Sequence, residues 1–137
     1  MDGVLAYGLA AMVGALAVTD LMPLAAILGN GGMWTAPTQD VAQALAAHLA
    51  FQADGWHLPP LLTTQLMWPH GVSIGIVDGN PLIALPAKLM AMLRGSPANL
   101  LGVWLAACWL LQPIAAVYAL RGFGCRSPVA ALAGAIF

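Results

Sequence analysis

Glutamate is missing from this 137-residue chain, so every acidic side chain is an aspartate. Charge of either sign is scarce. Four Lys or Arg and five Asp make up 7% of the residues, where soluble domains carry about 25%. So few charges cannot clothe a water-facing surface of this size, which excludes an ordinary soluble domain. With a net charge of −1 and no basic cluster, there is no electrostatic case for nucleic acid as a partner. Cysteine is limited to Cys108 and Cys125. They have no metal-ligand spacing and sit in or beside a hydrophobic run, so they read as small apolar fillers.

What the chain does have is hydrocarbon: 61% hydrophobic residues and a mean hydropathy of +0.88. The solvent that accommodates such a chain is lipid. The composition predicts an all-α membrane protein, with transmembrane helices and a long extracytoplasmic loop that contains short interfacial helices.

The first transmembrane helix is expected within residues 1–28, because a bilayer core takes about 20 helical residues. A cleavable signal peptide is the weaker alternative, since no Lys or Arg precedes the apolar run. Asp20 falls in the last third of this span, at the interface or on the floor of a polar cavity. Gly29-Asn30-Gly31-Gly32 then breaks the helix. Residues 29–99 form the loop. An interfacial helix is expected at about 40–52, with Thr38 or Asp40 as N-cap. Another is expected at about 81–93, opened by Pro81 and too short to span. Val72 to Val77 reads as extended, and Trp56 and Trp68, beside prolines, suit the headgroup level. Residues 100–120 are the second span. A cytoplasmic turn is expected at 121–127 and the start of a truncated third span at 128–137, from which the chain is expected to be a fragment of a longer protein.

By the positive-inside rule, the two Arg of the 121–126 turn face the cytoplasm. The loop 29–99 then lies outside a bacterial inner (plasma) membrane crossed more than once. Lys88 and Arg94 fall on the outer side in this arrangement, which a long loop tolerates. Three of the five Asp and all three His lie between Thr38 and Leu85. Any chemistry belongs to that stretch.

Several of its residues carry a family resemblance. Asp40, Trp68-Pro69-His70-Gly71, and Ser73-Ile74-Gly75-Ile76-Val77-Asp78-Gly79-Asn80-Pro81-Leu82-Ile83-Ala84 resemble the start of a bacterial polytopic membrane family grouped with the GT-C glycosyltransferases. In that family an Asp opens an amphipathic helix after the first span. Trp-Pro-x-Gly and Ser-Ile-x-x-x-Asp-x-x-Pro-Leu-x-Ala follow, and then further spans. The Arg126-Ser127-Pro128 turn also fits. Gly79-Asn80 departs from the pattern, standing where bulkier or hydroxyl-bearing residues are expected.

The resemblance implies transfer of a sugar from a lipid-phosphate-linked donor to an acceptor outside the membrane. It makes Asp40 the catalytic carboxylate, as general base or metal ligand. Asp78 is a second metal ligand or a substrate-binding group, and a divalent cation (Mg or Mn) is the implied cofactor. Such a transfer needs a base for the acceptor hydroxyl and a counter-charge for the departing phosphate. His57, His70 and Trp68 are the candidate substrate contacts. His48, His57 and His70 match no zinc signature in their spacing. The competing expectation is a transporter or assembly subunit whose outer loop is a structural cap, since interrupted helices and an intramembrane Asp occur there too.

Overall fold

In a computed structural model that describes residues 2–36, 40–77 and 79–125, the chain is mostly helical. Its elements run α1 (Asp2–Leu21), α2 (Leu24–Ile27), a 3-10 turn (Gly32–Trp34), α3 (Asp40–Ala53), β1 (Leu62–Thr63), β2 (Val72–Ser73), α4 (Pro81–Arg94) and α5 (Leu101–Gly122). Two helices are long and apolar enough to cross a membrane: Gly3–Leu21 and Leu101–Gly122. Only 17% and 11% of their most apolar windows are buried, whereas the core helix of a soluble protein is mostly buried. The chain divides into two units, residues 1–24 with 103–137, and residues 25–102.

In the first unit α1 and α5 run antiparallel. Gly3 lies against the Arg121 guanidinium, Ala6 and Ala10 pack on Val117, and Gly14 abuts the backbone of Leu110. A Cβ on Gly14 would sit 2.9 Å from Leu110 Cα. Small residues at the contact let two backbones approach, which is how apolar helices associate where water supplies no driving force. Helix α1 stops at Leu21, short of the Leu28 expected from hydropathy, and a separate turn, α2, follows. Pro23 explains the break. It has no N–H to donate, and its ring collides with the carbonyl four residues back. Asp20 is exposed in the last turn of α1. With Thr19 it lines an open hollow of about 500 Å³ whose other walls are Val13, Leu16 and Ala17.

The second unit is built on α3 and α4. Phe51, Ala47, Ile74 and Ala84 form its apolar centre, with Leu61, Leu66, Val77 and Leu85 packed around them. Polar clasps close the ends of the unit. The Gln52 side-chain amide donates to Ala98 O at 3.0 Å and accepts from Ala98 N at 2.9 Å. Asn99 Nδ2 donates to Gly29 O at 3.1 Å, and the buried Trp34 donates its indole N–H to Ala26 O at 2.9 Å. Strands β1 and β2 pair antiparallel, Leu62 with Ser73 and Thr63 with Val72. This short ladder qualifies the all-α expectation. Extended backbone covers Val72–Ser73, and residues 74–77 turn.

Helix α4 begins where Pro81 predicts. The Asn80 side chain accepts from Leu82 N at 3.0 Å as N-cap, and Gly95 closes the helix in the left-handed region. The Gly79-Asn80 departure now has a local reason. A Cβ on Gly79 would overlap the Ile74 side chain and carbonyl, and Asn80 supplies the cap. Asp78, Thr38, the Arg126-Ser127-Pro128 turn and the expected third span at 128–137 lie outside the described residues.

Candidate functional site

The densest polar cluster of the described residues forms where α3 ends. Asp54 continues the helical hydrogen bonding through its N–H to Ala50 O, and its side chain then gathers the loop that follows. Oδ1 accepts from Gly55 N at 2.8 Å. Oδ2 accepts from Thr63 Oγ1 at 2.9 Å and Thr64 N at 2.6 Å, and Thr64 Oγ1 lies 3.2 Å away. His57 Nε2 stands 3.1 Å from Oδ2, near enough for an ionic contact but not in hydrogen-bonding alignment. The Asp54 side chain is only 7% exposed. Burial alone would raise its pKa. The donors from Thr64, Thr63 and Gly55, with the His57 ring nitrogen close by, outweigh that and hold the carboxyl well below the usual carboxylate range.

Lys88 approaches the same loop from α4. It is 1% exposed, and Nζ donates to Gly55 O at 2.8 Å. Nζ also lies 4.1 Å from the centre of the Phe51 ring and 4.9 Å from that of Trp56. Burial lowers its pKa, while the negative charge of Asp54 opposes the shift. Two aromatic faces and a carbonyl replace the water that a desolvated ammonium loses. Trp56 is itself positioned by α4, donating its indole N–H to Met92 Sδ at 3.0 Å.

Chemically this cluster is an anchor. The lone pairs of Asp54 are taken by four donors, and a carboxylate with so low a pKa is a poor base. Lys88 is walled off from solvent. Sequence reasoning missed both residues as partners. The available signal for Lys88 was its place on a stripe of small residues, Ala84, Ala87, Lys88 and Ala91, whose spacing is that of one helix face. For Asp54 it was the helix-ending Asp-Gly pair followed by two threonines.

The residues singled out from sequence are distributed differently. Asp40 is exposed at the first position of α3, where the positive end of the helix dipole favours a carboxylate. His57 is drawn into the Asp54 cluster. Trp68, 82% exposed, and His70, also exposed, share the loop between β1 and β2. Asp78 lies outside the described residues, so its approach to Asp40 is not part of this geometry. Among the described residues no three His, Cys, Asp or Glu gather in one place. Asp40 supplies one hard oxygen donor of the kind Mg²⁺ or Mn²⁺ takes. His48 is buried at 3% exposure, its Nε2 meets no partner, and burial lowers its pKa. Cys108 and Cys125 are free and exposed.

No curated protein matches this chain, and no solved structure matches it. A family model described as a domain of unknown function (DUF6311) matches residues 11–137, nearly the whole chain. The chain belongs to the DUF6311 family.

Proposed function

We propose that this chain is the N-terminal portion of a GT-C-like membrane glycosyltransferase that takes a sugar from a lipid-phosphate-linked donor on the outer side of a bacterial inner membrane. The observation that carries the proposal is a folded polar unit set, in sequence, between two bilayer-length helices, with the accessible carboxylate of Asp40 at the start of its first long helix. The order of span, Asp-led helix, Trp-Pro-x-Gly and Ser-Ile-x-x-x-Asp-x-x-Pro-Leu-x-Ala supports it.

In this reaction the acceptor hydroxyl attacks the anomeric carbon. Asp40 takes the hydroxyl proton as the sugar–phosphate bond breaks, and the phosphate leaves on its lipid. Asp78 would join Asp40 in holding a divalent cation or in orienting the acceptor. Trp68 and His70, on an exposed loop, are the remaining substrate contacts. His57 stays in that set as a half-exposed ring beside Asp54.

The test is transfer by the full-length protein in vesicles supplied with a polyprenyl-phosphate sugar. Asp40→Asn is expected to lower turnover by about 10²–10⁴-fold, the usual contribution of a general base, with membrane insertion and melting unchanged. Asp40→Glu should recover part of the loss. Wild-type turnover by Asp40→Asn would remove Asp40 from the mechanism. One observation favours the alternative of a transporter or assembly subunit with a structural loop: Asp54 and Lys88 are both consumed by internal contacts.

A further inference from the structure

Helix α4 is inside out for a helix in water. Its buried face is Ala84, Ala87, Lys88 and Ala91, three methyl groups and an ammonium. On the opposite side stand Leu82, Pro86, Leu89 and Leu93, spaced four, three and four residues apart, as one helical stripe requires. Leu82 is 73% exposed, Leu89 54% and Leu93 89%, and Met92 beside them is 60% exposed. Burying a leucine is worth roughly 1.5–3 kcal/mol. A helix that hides alanine and lysine while presenting three leucines is therefore adapted to a surrounding medium that is apolar.

We infer that the Leu82–Leu89–Leu93 stripe is a membrane-docking face, seated in the headgroup and upper acyl region of the bilayer. Three features point to lipid rather than to a protein partner. First, α4 has 14 residues, about 21 Å of helix, too short to cross a hydrocarbon core of about 30 Å but suited to lying in the interface. Second, Arg94 is its one exposed charge, because Lys88 is buried and the helix has no acid. A cation at the rim of an apolar stripe matches anionic headgroups. Third, the α4 side chain Met92 holds the half-exposed Trp56 indole, and Trp is the residue favoured at the headgroup level. The buried Lys88 then has a purpose. By tying the small-residue face of α4 to Gly55 and to the Phe51 and Trp56 rings, it fixes which face the helix turns outward.

The inference depends on a membrane location and not on sugar transfer, so the Asp40→Asn result leaves it untouched. It is tested on the full chain, with Cys108→Ser and Cys125→Ser removing the native thiols. Spin labels are attached through Leu82→Cys, Leu89→Cys or Leu93→Cys, and through Gln65→Cys as an exposed reference. In vesicles of phosphatidylcholine and phosphatidylglycerol, oxygen should collide with labels at 82, 89 and 93 more than a water-soluble nickel chelate does. The ratio should be higher than at 65. Nickel-dominated collisions like those at 65 would put the stripe in water and overturn the inference. Labels immobile and shielded from both reagents would mean a protein covers the stripe, which overturns it equally. These positions are surface ones, so far-ultraviolet circular dichroism matching the parent chain confirms that the labelled variants fold.

Discussion

In residues 2–24 and 103–125 the chain is held by close approach of small residues: Ala6 and Ala10 on Val117, and Gly14 on the Leu110 backbone. In residues 25–102 it is held by directed polar bonds around a modest apolar centre. Asp54 gathers a loop, Gln52 clasps Ala98, Asn99 reaches Gly29, and Lys88 enters a ring cage. The difference follows from solvent. Two apolar helices in lipid gain little from hiding leucine, so shape and backbone proximity decide their contact. A segment rich in turns has many backbone groups to satisfy, and buried side chains satisfy them one by one.

The strongest way to break this comparison is to remove the anchor of the polar unit. Asp54→Ala orphans several donors and leaves Lys88 without a nearby counter-charge. It should cost about 3–5 kcal/mol, read as a lower melting temperature of the 25–102 unit by tryptophan fluorescence in detergent. An unchanged melt would mean that the loop is held by something else.

A glycine exchange in each region tests their independence. Gly14→Leu should loosen α1 from α5, and Gly79→Ala should displace Ile74, each by about 1–3 kcal/mol of overpacking. Hydrogen exchange should rise only in the region that carries the change. Exchange spreading into both regions would show that the two are coupled.

Acid should also divide them, because the buried titratable groups of known direction are His48, Asp54 and Lys88, all in the second unit. The folded pKa of His48 is below its ordinary 6.5, so the unfolded chain binds its proton first. Stability should fall as pH drops through 6.5 toward the folded value, and His48→Gln should remove that slope. Asp54 acts lower on the scale. Its contribution is complete above its unfolded pKa near 3.8 and is lost as pH falls below that toward the depressed folded value. A pH-independent melt between 5 and 7 would contradict the assignment for His48.

The smallest effect is expected at Trp56. Trp56→Phe keeps a ring over Lys88 but deletes the indole bond to Met92, at a cost of about 0.5–1.5 kcal/mol by chemical denaturation. A larger loss would show that the indole does more than orient α4.

Much of the helical layout was legible in the residues. Runs of apolar residues marked the two long helices, and Pro81 marked the start of α4. The Gly-rich segment at 29–32 marked a place where helical structure stops. These are local effects: propensity, capping and the loss of an N–H act within a few residues. Hydropathy counted across Pro23 without seeing the break, because a window average is blind to a missing donor. The polar anchor was less legible. Asp54 stands just past the end of α3, and its bonds to Thr63 and Thr64 depend on a loop returning there. Lys88 read as an ordinary outer-loop charge.

The amino-acid sequence by itself determined that this chain is apolar, helical and suited to lipid, since those properties sum over residues without regard to where they meet. Tertiary structure alone decided that Asp54 and Lys88 would be buried and that α4 would turn its leucines outward. Burial of a charge is possible only when donors and ring faces distant in sequence converge on it, and no pattern of neighbours along the chain encodes that convergence.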